Sequence, residues 1–535
     1  MGVPDDEETS RILLEDPNVE TQVETKTRSF SVRAKEHVKS HKLFWAMIAG
    51  MGFVMMACTA IIIVFVAPTS PRGSVIFMVS DGFGPASQTA ARNYAQFVNN
   101  YSTDYQLPLD TILVGSSRTR SSDSFVTDSA AGATAFSCSL KSYNGAIAVD
   151  SSEVPCGTVL EAAKARGYLT GIVTTSRVTH ATPASFSAHV PDRDMEDEIA
   201  VQQVTAPGPL GSRSLDLLFG GGRRHFDASM RADGVDVIKQ AEENGFRFVQ
   251  TPGEVVDTVL ELPVLGIFTN SDMSYEIDRE ASSEPSLLDM AKTALASLTS
   301  ASGGRPFFLL IEGARIDHAA HSNDPAAHIH EILMYNQVID HVKAYVRDHP
   351  STVLVSTSDH ETGGLSVAID PDYSWQPAVI TGVKSSAEAG AVELAGLEAT
   401  IPDDEELKTV ISATVLSLFG IADPTSTELN QLVSLLRAGD AYSVTNTLGG
   451  MVSDRAELGW STTGHSAVDV NLYAFAGGDQ ESIEALRGNH ENTEVGQFLS
   501  DYLGTNLVEI TEKLKEFDMP ARPKGRKEVI RGHHH

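Results

Sequence analysis

Apolar runs of strand length alternate with amphipathic stretches through most of the chain beyond residue 74. Continuous runs rich in Val, Ile, Leu and Phe are typical of strands buried on both faces of a sheet. Four runs of this kind are SVIFMVS (74–80), YLTGIVTT (168–175), FFLLIEG (307–313) and TVLVSTS (352–358). Helical patterns lie between them at 158–167 and 327–349. This alternation predicts an α/β fold, a three-layer α/β/α sandwich with a large, mainly parallel central sheet.

A longer apolar run near the N-terminus has a different meaning. Residues 43–67 carry no charged side chain. A bilayer-spanning helix needs roughly 20 apolar residues, so this run is long enough to cross a membrane once. A buried core helix of this length would normally carry some charge, and a cleaved signal peptide would be shorter and begin earlier. We therefore expect a transmembrane signal-anchor helix over 43–67.

Basic residues are concentrated on the N-terminal side of the predicted span. Because basic flanks stay on the cytoplasmic side, the N-terminus is expected in the cytosol and the large C-terminal part in a lumen or outside the cell. The expected topology is single-pass, type II. After the span, Arg72 is the basic residue that lies near it. Six basic residues precede the span: Lys26, Arg28, Arg33, Lys35, Lys39 and Lys42.

The segments on either side of the span differ in character. Residues 1–42 are polar and poor in aromatic residues, which predicts a disordered cytoplasmic tail. Within that tail, ETSRILL (8–14) is similar to acidic dileucine signals, so a sorting adaptor is an expected partner, although a chance pair of aliphatic residues is the alternative. Residues 68–518 form the predicted lumenal domain, with a helical, acidic insertion or cap at about 370–458. Residues 519–535 form a basic, flexible tail.

Charge and cysteine content narrow the range of functions. The 535-residue chain has a formal net charge of −31, which argues against nucleic acid as a partner because nucleic-acid binding needs basic patches. Two of the three cysteines, Cys138 and Cys156, follow the predicted span. They could form a disulfide in an oxidising lumen or remain buried thiols. The tripeptide NYS makes Asn100 a candidate glycosylation site.

Reactive side chains follow all four predicted strands. The strands are followed by Asp81-Gly82, by SRVTHATPASFSAHVPDR, by EGARIDHAAH and by DHETGG. Because the carboxyl ends of parallel strands meet at one edge of an open sheet, we expect these groups to converge there. Helix capping explains one Asp after a strand, but it does not explain four endings that supply carboxylates and imidazoles together.

The residue types at this edge favour metal ions. Asp317 and His321 are four residues apart, which places them on one face of a helical turn. Asp359-His360 adds a second oxygen and nitrogen pair, and His465 lies in the small-residue loop TTGHSAVDV. Carboxylate and imidazole ligands without thiolates are typical of catalytic zinc sites. Sets of Asp, Glu and Thr oxygens suit Mg²⁺.

The stretch VTDSAAGATAFS (126–137) has two interpretations. In the simpler one, Asp128 or Ser129 caps a helix made of small residues. In the other, Ser129 lies at a helix N-terminus because an anion binds there. The convergent carboxylates and histidines favour the second interpretation.

These blocks together resemble those of the alkaline phosphatases. VTDSAAGATAFS, HATPASFSAHVPDR, EGARIDHAAH, SDHETGG and TTGHSAVDV occur in that family's order, as do LFGGG at Leu218 and YEIDR at Tyr275. The resemblance extends from about residue 74 to about residue 518. It implies an enzyme that hydrolyses small-molecule phosphate monoesters at alkaline pH with broad specificity, and a homodimer. The anchor and the ETSRIL tail further resemble fungal vacuolar members, which implies the vacuolar membrane.

The resemblance also implies a role for each matching residue. Ser129 is the expected nucleophile, Arg193 the phosphate-binding arginine and Asp128 the residue that orients it. Attack by Ser129 releases the alcohol, and water then hydrolyses the phosphoserine. The implied metals are two Zn²⁺ and one Mg²⁺, with the ligands Asp317, His321 and His465 for one zinc, Asp81, Asp359 and His360 for the second, and Asp81, Thr182 and Glu312 for magnesium.

Two positions vary within the family. His180 stands where bacterial members often have Asp, and His318 where they often have Lys, whereas animal members have His at both. We expect His180 and His318 to lie near the third metal and the phosphate and to tune the rate and the pH optimum. The alternative is that either histidine is an ordinary hydrogen-bonding group of the core.

Three other functions are compatible with parts of this pattern. Sulfatases need a Cys or Ser within C/S-x-P-x-R, and DSAAG lacks the Pro and the Arg. Phosphodiesterases of the same superfamily typically use Thr and lack the third metal site. A catalytically silent, membrane-anchored binding protein would have lost a nucleophile or a ligand. The complete set of residues favours a phosphomonoesterase.

Overall fold

The computed structural model describes residues 72–521, apart from 207, 209 and 370–372. The chain divides into two units, Met1–Ala67 and Pro68–His535. The predicted tail and span, residues 1–67, lie outside the described residues. Among the helices that are described, none has both the length and the apolar character needed to cross a bilayer.

A large sheet forms the centre of the described domain. The strands are β1 (Val75–Ser80), β2 (Leu113–Arg118), β3 (Leu169–Arg177), β4 (Leu217–Gly221), β5 (Arg247–Val249), β6 (Val264–Ile267), β7 (Phe307–Gly313), β8 (Val353–Thr357), β9 (Glu361–Thr362), β10 (Leu365–Val367), β11 (Leu458–Trp460), β12 (His465–Ser466), β13 (Val470–Ala476) and β14 (Gly488–Glu491). Ten of them form one sheet in the order β14-β2-β13-β8-β1-β7-β3-β4-β6-β5. Two small sheets pair β10 with β11 and β9 with β12.

The four predicted strands are confirmed and lie side by side. They are β8, β1, β7 and β3, neighbours in the sheet and parallel to one another. Every residue of β1, β7 and β8 is buried, which explains why these strands have continuous apolar sequences. Val79 near the end of β1 aligns with Glu312 of β7 and Thr357 of β8, so the three strands end at the same level.

The large sheet is mainly parallel, as predicted, and it is mixed because one strand runs the other way. β13 is antiparallel to both of its neighbours, β2 and β8. The path of the chain explains this direction. His465 of β12 pairs with Thr362 just beyond the end of β8, so the chain is already at the carboxyl edge when β13 begins at Val470. The strand can only run back from that edge.

Eighteen helices are described around the sheets. They are α1 (Pro85–Asn99), α2 (Ser129–Cys138), α3 (Val159–Ala165), α4 (Ala181–Ser187), α5 (Glu196–Val204), α6 (Val237–Glu243), α7 (Pro252–Val255), α8 (Leu287–Ser302), α9 (Arg315–His321), α10 (Pro325–Asp348), α11 (Pro377–Thr381), α12 (Ala387–Glu398), α13 (Asp404–Ala413), α14 (Val415–Leu418), α15 (Ser426–Ala438), α16 (Ala441–Ala456), α17 (Asn492–Leu503) and α18 (Leu507–Leu514). Short 3₁₀ turns occur at Asp110–Ile112, Arg223–His225 and Gln480–Leu486.

Two hydrophobic cores cover opposite faces of the sheet. Alternate residues of β1 point to opposite sides, so Ile76 packs in one core and Phe77 in the other. The first core contains residues of α8 and α10, and the second contains residues of α2, α3 and α17. This arrangement is the predicted three-layer sandwich.

A third core belongs to the segment between Pro377 and Ala456, where the six helices α11 to α16 lie. It joins residues such as Leu394, Leu416 and Leu432 to Tyr94 and Ile329 of the main domain. The helices fall in the region that the sequence predicts to be an insertion, and their apolar faces pack against α1 and α10.

Several local predictions can be compared with the structure. The pattern at 158–167 forms α3, whose first turn is closed by a capping box between Thr158 and Glu161. Cys138, the last residue of α2, is bonded to Cys156, so the disulfide is present. Asn100 is exposed at the C-terminal end of α1. Whether this residue carries a glycan stays a prediction.

A buried ion pair between His189 and Glu161 predicts a pH-dependent stability. His189 Nε2 lies 3.0 Å from Glu161 Oε1, and His189 Nδ1 donates to the Ala148 carbonyl. Burial favours the neutral imidazole, but Glu161 outweighs it and raises the pKa of His189 above its ordinary value. Because the folded pKa is raised, the stabilisation is fully present below the unfolded pKa of about 6.5 and is lost as pH rises through the folded value.

Glu161→Gln is expected to lower the unfolding free energy by about 3 kcal/mol below pH 6.5, because it leaves a buried imidazole without its charged partner. The difference from the unmodified protein should shrink as pH rises. Thermal unfolding of both proteins at several pH values measures this difference. An equal gap at every pH would contradict the assignment of a charged His189.

Candidate active site

The candidate site lies at the carboxyl edge of β8, β1 and β7. Asp81 follows β1 directly, Glu312 is the last residue but one of β7, and Asp359 follows β8 by two residues. Asp317 comes from α9, which begins just after β7. The four carboxylates are completely buried. Burial of so much negative charge is costly unless cations compensate it.

One group of side chains consists of Asp317, His321 and His465. The Nε2 atoms of the two histidines are 3.1 Å apart, and His321 Nε2 is 3.1 Å from Asp317 Oδ2. Each Nδ1 donates to a backbone carbonyl, His321 to Thr463 and His465 to Thr127. A neutral ring held in this way presents a lone pair at Nε2. Two lone pairs and a carboxylate at these distances repel one another unless a cation lies between them.

A second group consists of Asp81, Asp359 and His360. His360 Nε2 lies 3.2 Å from Asp359 Oδ2 and 3.5 Å from Asp81 Oδ1. It also lies 3.0 Å from Ser129 Oγ. The set is compact enough to hold one metal ion, and the serine hydroxyl is directly beside it.

Thr362 connects these two groups. Its hydroxyl donates to Asp317 Oδ1 and can accept from His360 Nδ1 at 3.2 Å. In this arrangement the His360 proton is on Nδ1, and the Nε2 lone pair faces Ser129 and the two carboxylates. A hydrogen-bonded partner that fixes the tautomer in this way is typical of metal-binding histidines.

A third group consists of Asp81, His180 and Glu312. Burial raises the pKa of Glu312 to about 7, although the hydroxyls of Thr174 and Thr182 act in the opposite direction. Glu312 Oε2 accepts from Thr174, while Oε1 accepts no hydrogen bond from the described residues. Asp81 belongs to both this group and the second one, and so it lies between them.

The electrostatics of the carboxylates indicate that they need positive charge. Burial raises the pKa of Asp81 well above its ordinary value, and Asp359, Asp317 and Glu312 raise it further. Both oxygens of Asp81 are buried and accept no hydrogen bond within the described part of the chain. The donor set therefore fits metal cations.

Ser129 lies at the first position of α2. Asp128 caps this helix, because its Oδ1 accepts from the Ala131 N–H at 2.9 Å. A side chain added at Gly132, one turn further, would come within 3.0 Å of Asp359 Cβ. The small residues of this helix thus allow Ser129 to approach the metal-binding groups closely. The capping interpretation is confirmed, since Asp128 is the cap. Ser129 lies beside His360 of the metal-binding groups, and the binding of an anion there stays a prediction.

Arg193 is held beside Ser129 by two hydrogen bonds. Its Nη1 donates to Asp128 Oδ2 at 3.1 Å, and its Nη2 donates to His180 Nε2 at 2.9 Å. Since a guanidinium only donates, His180 must accept, and so it is neutral. Burial lowers the pKa of His180 well below its ordinary value, and the charges of Arg193 and Arg177 lower it further.

His318 lies next to His180, with their ring centroids 5.5 Å apart. It accepts at Nδ1 from Arg315 Nη1 at 2.9 Å. Burial, together with the positive charge of Arg315, lowers the pKa of His318 to about 4 against the opposite effect of Asp272. Both variable histidines are therefore neutral and accept from an arginine.

The predicted site residues are brought together by this geometry. Contacts or short distances link twelve of the thirteen predicted residues to another residue of the set. The thirteenth, Thr182, lowers the pKa of Glu312. Sequence patterns did not point to a role for Thr362 or Arg315, although both lie within the quoted blocks. Their importance depends on contacts with residues far along the chain.

The fold and the site define a metal-dependent α/β enzyme. The sequence model of the alkaline phosphatase family matches residues 73–505. The chain therefore belongs to the alkaline phosphatase family.

Individual relatives agree with this family assignment. The chain is 45% identical over 481 residues to the repressible alkaline phosphatase of Saccharomyces cerevisiae, covering 83% of this chain and 84% of the relative. It is 45% identical over 466 residues to an alkaline phosphatase of Schizosaccharomyces pombe, with 84% of each chain covered. The solved Thermus thermophilus alkaline phosphatase has a TM-score of 0.71 at 29% identity, over 84% of this chain and 96% of that one. A cold-active alkaline phosphatase from Shewanella sp. has a TM-score of 0.68 at 32% identity, over 80% and 99%.

Thr362→Val is expected to weaken metal binding about 10- to 100-fold, because it removes the hydroxyl between Asp317 and His360 while keeping the side-chain volume. Metal content after equilibration at a series of buffered free zinc concentrations measures the change. Thr381→Val, at an exposed threonine of α11, is the matched control. Unchanged zinc affinity in Thr362→Val would contradict the role of this hydroxyl.

Proposed function

We propose that this alkaline phosphatase hydrolyses phosphate monoesters through a phosphoserine formed on Ser129. The observation that carries the proposal is the position of Ser129 Oγ, 3.0 Å from His360 Nε2 at the N-terminus of α2. The second and third groups share Asp81. Arg193 donates to Asp128, the residue directly before the serine. A nucleophile, compensation for phosphate charge and an arginine thus converge on one point.

Arg193 is suited to bind two phosphate oxygens. Each of its terminal nitrogens carries two hydrogens, and the bonds to Asp128 and His180 use one on each. The second hydrogen on each nitrogen is left for the substrate, in the fork geometry that matches phosphate. Asp128 and His180 fix the plane of this fork before the substrate arrives.

The free N–H groups at the start of α2 add positive potential where the phosphate would bind. Ser129 Oγ forms a bond to phosphorus, and the bond from phosphorus to the ester oxygen breaks, so the alcohol leaves after it gains a proton. Water then cleaves the phosphoserine, which yields inorganic phosphate and restores Ser129. Metal ions bound at this site would lower the pKa of the serine hydroxyl and neutralise the phosphate charge.

We propose zinc for the two groups that contain histidine lone pairs, Asp317 with His321 and His465, and Asp81 with Asp359 and His360. For the third group we propose magnesium on oxygens of Asp81, Thr182 and Glu312. The hydrogen bond from Arg193 supports this choice, because it occupies the His180 Nε2 lone pair. Broad specificity and an alkaline optimum are part of the proposal, since the described contacts concern the phosphate rather than the alcohol.

The cellular setting is also a proposal. The apolar run at 43–67 and the basic residues before it support a type II anchor in the vacuolar membrane, with the catalytic domain lumenal. A sorting adaptor is proposed to bind the acidic dileucine-like stretch at 8–14. A homodimer and a glycan at the exposed Asn100 complete this proposal.

The metal-loaded protein should hydrolyse p-nitrophenyl phosphate at alkaline pH. Ser129→Ala is expected to lower kcat by at least about 1,000-fold, because the nucleophile is lost. Chelation should abolish activity, and zinc with magnesium should restore it. Ser137→Ala, the same change eight residues along α2, is the matched control and should keep the activity. Activity that survives both Ser129→Ala and chelation would refute the proposed mechanism.

The anchor can be tested on the full chain in isolated vacuolar membranes. Alkaline carbonate should leave the protein in the membrane, because an apolar helix is not extracted by loss of electrostatic contacts. Added protease should remove only the N-terminal tail from sealed vesicles, as detected with tags at both ends. A chain with residues 43–67 deleted is the control and should be soluble. Release of the intact protein by carbonate would contradict the predicted span.

A further inference from the structure

Arg315, the first residue of α9, has a buried guanidinium with three partners. Its Nη1 donates to His318 Nδ1 at 2.9 Å, and its Nη2 lies 3.0 Å from both carboxylate oxygens of Glu388. The guanidinium carbon lies 3.7 Å from the centre of the Tyr275 ring. The Arg315 side chain is 5% exposed, whereas that of Glu388 is 55% exposed. A buried charge with these contacts is fixed in one orientation.

The bond from Arg315 determines how His318 can act. A guanidinium has no acceptor, so Nδ1 of His318 must supply the lone pair. The proton of the neutral ring is then on Nε2, which makes that nitrogen a donor. The His318 ring lies beside His180, which itself accepts from the phosphate-binding Arg193.

Glu388 belongs to the helical insertion, and this part of the insertion is fixed to the segments around α9. Ala387 donates its N–H to Asp324 at 2.7 Å, and Asp324 also caps α10. Ser386, the cap of α12, donates its N–H to Asp278 at 2.9 Å. Further along the insertion, Ser453 Oγ donates to the Asn323 carbonyl at 3.1 Å. Glu388 is therefore presented to Arg315 from a fixed backbone.

We infer that Arg315 is a positioning residue for phosphate hydrolysis: Glu388 of the insertion holds Arg315, and Arg315 orients His318 as a hydrogen-bond donor on the phosphate side of the site. This inference rests on the proposed function of the site. It gives the insertion a part in catalysis, because one of its carboxylates acts through two side chains on the reacting centre.

A double-mutant cycle tests the link between Arg315 and His318. The full-length, metal-loaded protein is assayed with p-nitrophenyl phosphate, and inhibition by inorganic phosphate is measured as an equilibrium readout. Arg315→Met is expected to lower kcat/KM about tenfold, within the coupling range of contacting residues. In a His318→Ala background the same change should have less than about a twofold effect, because Arg315 then has no ring to orient.

The link to the insertion has its own variants. Glu388→Gln is expected to lower kcat/KM about threefold and to raise the inhibition constant of phosphate, with no further effect in the Arg315→Met background. Glu393→Gln is the matched control, because it removes the same charge from an exposed position of the same helix. Arg315→Lys should recover part of the loss, since Lys can reach one partner but cannot fork between two.

The outcomes separate this inference from the proposed function. Metal content and thermal unfolding are measured for every variant. If the Arg315→Met protein does not fold, the double-mutant cycle is made with Glu388→Gln and His318→Ala instead, because the Glu388 side chain is half-exposed. Additive losses in the cycle, or equal effects of Glu388→Gln and Glu393→Gln, would overturn the inference while hydrolysis by the unmodified protein stands. Absence of hydrolysis by the unmodified, metal-loaded protein would instead refute the proposed function.

Discussion

The structure depends on the burial of four carboxylates at one edge of a sheet. Asp81, Glu312, Asp317 and Asp359 are completely excluded from solvent, and each lies close enough to others to affect ionisation. Like charges in a medium of low polarity repel strongly, and folding alone gives no compensation for Asp81. Cations bound to these carboxylates would supply that compensation. The affinity for metals and the stability of this edge are therefore two aspects of the same electrostatic balance.

The scaffold brings these charges together through the level ends of parallel strands. β8, β1 and β7 are buried throughout and in register, so the residues that follow them emerge at the same height. Two glycines then allow the segments that carry these residues to pack closely against one another. Gly82 has a φ of +72°, and a side chain there would overlap Asp317 Cα at 2.6 Å, so glycine satisfies both the turn and the contact. Gly132 lies within α2, where a side chain would come to 3.0 Å from Asp359 Cβ, so glycine lets this helix and its serine lie close to the carboxylates.

Sequence patterns predicted what depends on strand burial and on short spacings. The four apolar runs became neighbouring strands, and Asp317 and His321 lie on one turn of α9 because their spacing of four requires it. The direction of β13 was not predictable from its composition, since it follows from the pairing of His465 with Thr362. The Thr362 bridge and the Arg315–Glu388 pair were missed for a similar reason. Each depends on residues far apart in the sequence, and hydrophobic periodicity contains no information about them.

The helical insertion and the carboxyl edge of the sheet, where the metal-binding groups lie, are best regarded as one structural unit. α9 carries Asp317, His318 and His321 on only seven residues, and a helix of this length is not stable by itself in water. The insertion contacts the chain at both ends of α9. Glu388 binds Arg315 at the start of this helix, and other residues of the insertion bind Asp324 and Asn323 just after His321. A reacting geometry must be kept within about 0.5 Å, and a short helix meets that requirement only when both ends are fixed. Substitutions in the insertion that leave its own core intact can therefore still act on the reaction, because they change how α9 is supported.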